Sequence, residues 1–117
     1  MDRQFYKQLK SFLKDLILVF PDDTDIKFIS TTINIAIIDD SEFSIIKEFY
    51  EIFKDHSTLL TTRNSEFFYR DFGKASSQLK LFTKLSFYWE QLSDSNKIIV
   101  WDYLNGLYNL AKEFTLL

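Results

Sequence analysis

At 117 residues the chain has the length of one domain and can bury a core without disulfides or metal, and its 13 Phe, 6 Tyr and 2 Trp predict a core built from rings. It contains no cysteine and one histidine, which excludes disulfides, thiolate chemistry and Cys-ligated or multi-His metal centres. A net charge of −3 argues against a strong sequence-independent hold on nucleic acid, although the charge is uneven: an acidic stretch, residues 22–55, lies between two mildly basic ones.

With one proline and two glycines the chain has little of the punctuation that hairpins and linkers require, so a single helical domain over residues 1–117 is expected. From Asp2 to about Val19, Phe5, Leu9, Phe12, Leu13, Leu16 and Ile17 recur at three-and-four spacing, the mark of a helix buried along one stripe. Arg3, Lys7, Lys10 and Lys14 recur at the same spacing on the opposite side, a solvated face that is also a short line for phosphate contact. These cations interrupt any run of the signal-peptide kind, and apolar runs such as Leu16 to Phe20 fall far short of the roughly 20 residues that span a bilayer. Neither secretion nor a membrane partner is expected, and the lack of cysteine fits a reducing, intracellular setting.

Pro21 ends the first helix, and Asp22, Asp23 and Thr24 offer oxygens to cap the next. Over 25–38 the pattern is double: Ile26, Ile29, Ile33, Ala36 and Ile37 fit a helix, while Ile33, Ile35 and Ile37 alternate as a strand would. Helix is the expectation, because only Thr58 to Thr62 offers a strand to pair with. Ser41 is the expected cap of a third helix through Asp55, with Ile45, Ile46, Phe49, Ile52 and Phe53 inward. Residues 56–73 lack clean periodicity, with Asn64 or Ser65 placed to cap a short helix. A further helix is expected from about Lys74 to Leu92, and a last one after Ser93, Asp94 and Ser95. In that last helix Ile98 to Phe114 are apolar on nearly all sides, which predicts a central position and burial of Trp89 and Trp101. The expected fold is an all-α compact bundle of five or six helices.

Few residues offer chemistry. His56 stands at a helix end, where an imidazole bonds free carbonyls more often than it acts as a catalyst. The pairs Asp22/Asp23 and Asp39/Asp40 adjoin helix boundaries and read as caps before they read as a cation or acid–base site. Neither Gly73 nor Gly106 belongs to a phosphate loop, and Ser30, Thr31 and Thr32 have no evident base. No catalytic, metal or cofactor residue is assigned, and no small-molecule substrate is evident. The densest cluster is Phe67, Phe68, Tyr69 and Phe72 beside Arg63 and Arg70: either a protein-interaction surface with Tyr69 the most exposed ring, or a plug for the end of the bundle.

The segment Trp89-Glu90-Gln91-Leu92-Ser93-Asp94-Ser95-Asn96-Lys97-Ile98-Ile99-Val100-Trp101-Asp102-Tyr103-Leu104, with Leu107 and Ala111, resembles the C-terminal signature of short uncharacterised proteins of large nucleocytoplasmic DNA viruses of the mimivirus kind. Phe12 to Pro21 and Arg63 to Phe68 are similar to earlier segments of that family. The resemblance implies a viral origin and a location in the infected cell or the virion, and brings no functional residues with it. The expected role is a non-enzymatic accessory or structural protein that binds another protein or itself as a two-fold homodimer through the 67–72 cluster. A nucleic-acid-associated factor using Arg3, Lys7, Lys10 and Lys14 stands second, and a small enzyme with a carboxylate site third.

Overall fold

The computed structural model describes residues 2–70 and 77–116. Helix α1 spans Asp2–Val19, α2 Thr24–Ile38, α3 Ser44–Asp55, α4 Ser57–Thr61, α5 Ser77–Tyr88 and α6 Asp94–Leu116, with 3-10 turns at Ser65–Tyr69 and Trp89–Gln91 and no strand among the described residues. The ambiguous 25–38 segment is helical. Asp23 starts it, its carboxylate accepting from the Ile26 amide at 2.9 Å, and Ile26, Ile29, Ser30 and Ile33 form its buried stripe.

The start of α3 differs from expectation. Ser41 does not cap it; Asp40 does, accepting from the amides of Ser44 at 3.0 Å and Ile45 at 3.2 Å. Phe43, at φ 58°, turns the chain through the left-handed region so that a carboxylate four residues before the helix reaches its first amides. The five inward residues expected of α3 are all buried. The segment after it, without periodicity in sequence, forms the short α4 and then a 3-10 turn whose cap is Asn64, accepting from the Glu66 amide.

Helix α6 packs chiefly along α1 and α3 and touches α4, while α2 lies between α1 and α5. Val100, Trp101, Leu104, Leu107 and Ala111 are its buried positions, and its first turns leave Ile98 and Ile99 exposed. The core is a continuous chain of rings. Phe5 meets Phe49 edge-on at 5.6 Å, Phe49 and Phe53 each lie 5.7 Å from Phe82, and Phe82 leads through Phe67 to Phe68. Phe68 stacks on Trp89 at 4.0 Å, and Trp89 meets Trp101 at 5.2 Å. Both tryptophans are buried. The Cα radius of gyration, 13.3 Å, is close to the roughly 13 Å of a compact chain of this length.

Candidate functional site

Of the two expectations for the aromatic cluster, an interaction surface or a plug for the end of the bundle, Phe67 and Phe68 follow the second and Tyr69 is exposed as expected. Phe67 and Phe68 are fully buried among rings of α5 and α6, and the reason is the turn they sit in. A 3-10 helix has three residues per turn, so neighbours point about 120° apart. With the bundle wrapped around two of the three directions, both phenylalanines are enclosed and only the third direction, shared by Glu66 and Tyr69, faces solvent. Tyr69 is 61% exposed and donates its hydroxyl to Glu90. Arg63 is tied to Asp102 at 2.6 Å, Arg70 is exposed, and Phe72 lies outside the described residues. A dimer surface built on these rings therefore loses Phe67 and Phe68 to the core.

In each carboxylate pair one member, Asp23 or Asp40, serves a helix start and a helix joint. Asp23 caps α2, accepts from the Tyr88 hydroxyl and pairs with Lys84 at 3.1 Å; Asp22 beside it is exposed. Its limited exposure to water pushes the Asp23 carboxyl up, and the bonds from Tyr88, the Ile26 amide and Lys84 outweigh this and bring it down to about 2. Asp40 caps α3 and accepts from Tyr6 of α1 at 2.5 Å, while Asp39 is exposed at the end of α2. For Asp40 too, desolvation acts upward and is outweighed by the bonds from Tyr6, Ser44 and Ile45, so its carboxyl titrates below the usual range. Tyr103 of α6 makes a third such joint with Asp15 of α1, where desolvation and then the carboxylate raise the phenol to about 12.

No group of three or more metal-ligating side chains converges among the described residues. Ser30 is buried and accepts from the Asn34 amide group, Thr32 is turned onto the Phe28 carbonyl, and His56 lies edge-on to Phe67 at 6.1 Å. These contacts are those of packing and helix capping.

Arg3, Lys7, Lys10 and Lys14 are exposed along one side of α1, as their spacing predicts, and make no ion pair among the described residues. Arg3, Lys7 and Lys10, with Tyr6 and Ser11, line an open groove of about 430 Å³ whose other wall is Ile37 of α2.

The feature that sequence reasoning missed lies on α2. Opposite its buried stripe, Phe28, Ile35 and Ile38 are 67, 64 and 81% exposed, and across a groove of about 500 Å³ Phe87 of α5 is 66% exposed. At 100° per residue, positions 28, 31, 35 and 38 share one side of a helix, so the exposed apolar residues form a line broken only by Thr31. The groove toward α5 carries Lys80 and Lys84 on its far wall, with Lys84 bonded to Asp23 and Asp25 and lying 5.3 Å over the Phe87 ring. A signal was present: 25–38 holds more apolar residues than one stripe can bury, the criterion that singled out the last helix.

No helix among the described residues is long and apolar enough to cross a membrane. No protein-family model, curated protein or solved structure matches the chain.

Proposed function

We propose that this chain is a non-enzymatic protein-interaction module, an accessory or structural protein, and that its binding surface is the outward side of α2. The observation that carries this reading is the line Phe28, Ile35 and Ile38 with Phe87 beside it, four large apolar side chains each left roughly two-thirds or more in water. Contiguous apolar surface of this sort is uncommon on a monomer unless something covers it. The fold does not need it, since the core closes without these residues.

The test uses tagged full-length chain expressed in the cells that naturally produce it, compared with the double variant Phe28→Gln, Ile35→Gln. Loss of the co-purifying proteins in the variant, at unchanged expression and helicity, supports the reading. An identical set of co-purifying proteins refutes it.

The exposed line on α1, without an ion pair among the described residues, favours a second reading, a nucleic-acid-associated factor. That reading requires affinity for duplex or single strands that falls steeply with salt and disappears when Lys7, Lys10 and Lys14 are all changed to Glu.

A further inference from the structure

The α2 side is flanked by cations on both edges. Toward α1 the groove wall holds Arg3, Lys7 and Lys10; toward α5 it holds Lys80 and Lys84. Of these five only Lys84 has an ion pair among the described residues, and the single carboxylate lining either groove, Asp25, is its partner. The chain's net charge is −3, yet the linings of these two grooves hold five cations and one carboxylate, and the exposed Asp22 and Asp39 stand at the two ends of α2 rather than in either groove. Packed helices lie about 8–10 Å apart, so each cation row runs roughly one helix diameter from the apolar ridge of α2.

We infer that the partner seated on α2 is an acidic amphipathic helix, whose apolar stripe covers Phe28, Ile35 and Ile38 and whose flanking carboxylates meet the α1 and α5 cations. The inference rests on the reading of α2 as the binding surface. The ridge from Phe28 to Ile38 is about 15 Å long at 1.5 Å per residue, so three turns of a partner helix suffice to cover it. Charge decides among the occupants. A second copy docked about a two-fold axis sets the same cation rows against each other, which is repulsive. Nucleic acid satisfies the cations and leaves the apolar ridge against phosphate. An anionic lipid surface satisfies both, but it makes no use of two concave grooves into which a partner's side chains fit.

The probe is a fluorescein-labelled 16-residue peptide with leucines along one helical stripe and glutamates elsewhere, titrated with full-length protein by anisotropy. Its counterpart carries lysine at every glutamate. The glutamate peptide is expected to bind saturably and more weakly as salt rises, and the lysine peptide not to bind. Lys7→Glu with Lys10→Glu is expected to raise Kd at least about tenfold, as is Lys80→Glu alone, with circular dichroism confirming intact folding. Phe28→Gln with Ile35→Gln is expected to abolish binding. Equal binding of both peptides, or binding indifferent to the charge reversals, overturns the acidic partner while loss in the glutamine variant leaves the α2 surface standing. Binding indifferent to the glutamine variant as well removes both. Two further outcomes overturn the inference in favour of another occupant: co-sedimentation with phosphatidylserine vesicles in the absence of peptide binding, and an equilibrium mass twice the 14.0 kDa of the chain that reverts in the glutamine variant.

Discussion

Asp23 accepts hydrogen bonds from three directions: the Ile26 amide at the start of α2, the Tyr88 hydroxyl of α5 and the Lys84 ammonium of the same helix. One carboxylate thus holds a helix start and fastens α2 to α5, and its side chain is only 7% exposed. Its folded value of about 2 lies below the ordinary 3.8, so the folded state favours the ionised form. The stability this contributes is complete above about pH 4 and drains away as pH falls toward 2; from 3.8 to about 2 it amounts to about 2 kcal/mol. Asp40, also depressed, adds in the same direction. Asp23→Asn keeps a good capping side chain and loses the charge, so urea denaturation should find it about 1–2 kcal/mol less stable at pH 7 and level with the unsubstituted protein near pH 2. A deficit that persists undiminished at pH 2 counts against the assignment. At the other extreme Tyr103, raised to about 12, loses its contribution between about pH 10 and 12.

The ends of the elements explain what was legible in the sequence. Helices α1 and α3 were readable because their buried residues fall on one stripe, and the caps at Asp23 and Asn64 were readable to within a residue or two because such side chains are preferred before a helix. Helix α4 was not, because its stop carries no glycine. After Thr61 the Asn64 amide bonds the Leu59 carbonyl at 2.9 Å and the Arg63 amide bonds the Leu60 carbonyl at 3.2 Å, the paired bonds of a Schellman ending, with Arg63 at φ 53° in the left-handed position that glycine or asparagine ordinarily fills. Phe43 does the same before α3, and there Ser41 looked the better cap because no sequence rule anticipates a phenylalanine turning left-handed. Substitution separates the two roles of Arg63. Arg63→Ala keeps the strained backbone and loses an exposed ion pair worth at most about 1 kcal/mol, whereas Arg63→Gly loses the pair and relieves about 1 kcal/mol of strain. Thermal denaturation should therefore rank Arg63→Gly above Arg63→Ala by about 1 kcal/mol; the reverse order removes the strain argument.

On the scale of the whole molecule, the densest run of rings in the sequence and the exposed apolar surface proved to be different residues. Dense aromatics at 67–72 fitted a sticky surface or a plug, and the choice was not legible because a 3-10 turn at the end of a bundle can bury consecutive side chains and no periodicity announces such a turn. The isoleucines of α2 fitted a helix or a strand; the helix they form is buried on one side and, packed against α1 and α5, exposes the other. This division predicts opposite outcomes for two substitutions. Phe68→Ala empties the centre of the ring chain beside Trp89 and Trp101 and should cost about 3–5 kcal/mol, shifting tryptophan emission to longer wavelength as water reaches the indoles. Ile35→Gln removes a larger exposed apolar area than many core changes, but from a side chain already in water; glutamine favours the helix at least as well, so its stability should stay within about 0.5 kcal/mol. Paired urea titrations read both numbers. If Ile35→Gln is the damaging change and Phe68→Ala the mild one, then the ring chain is not the core and the α2 ridge is not free surface, and the placement of the binding face on α2 goes with them.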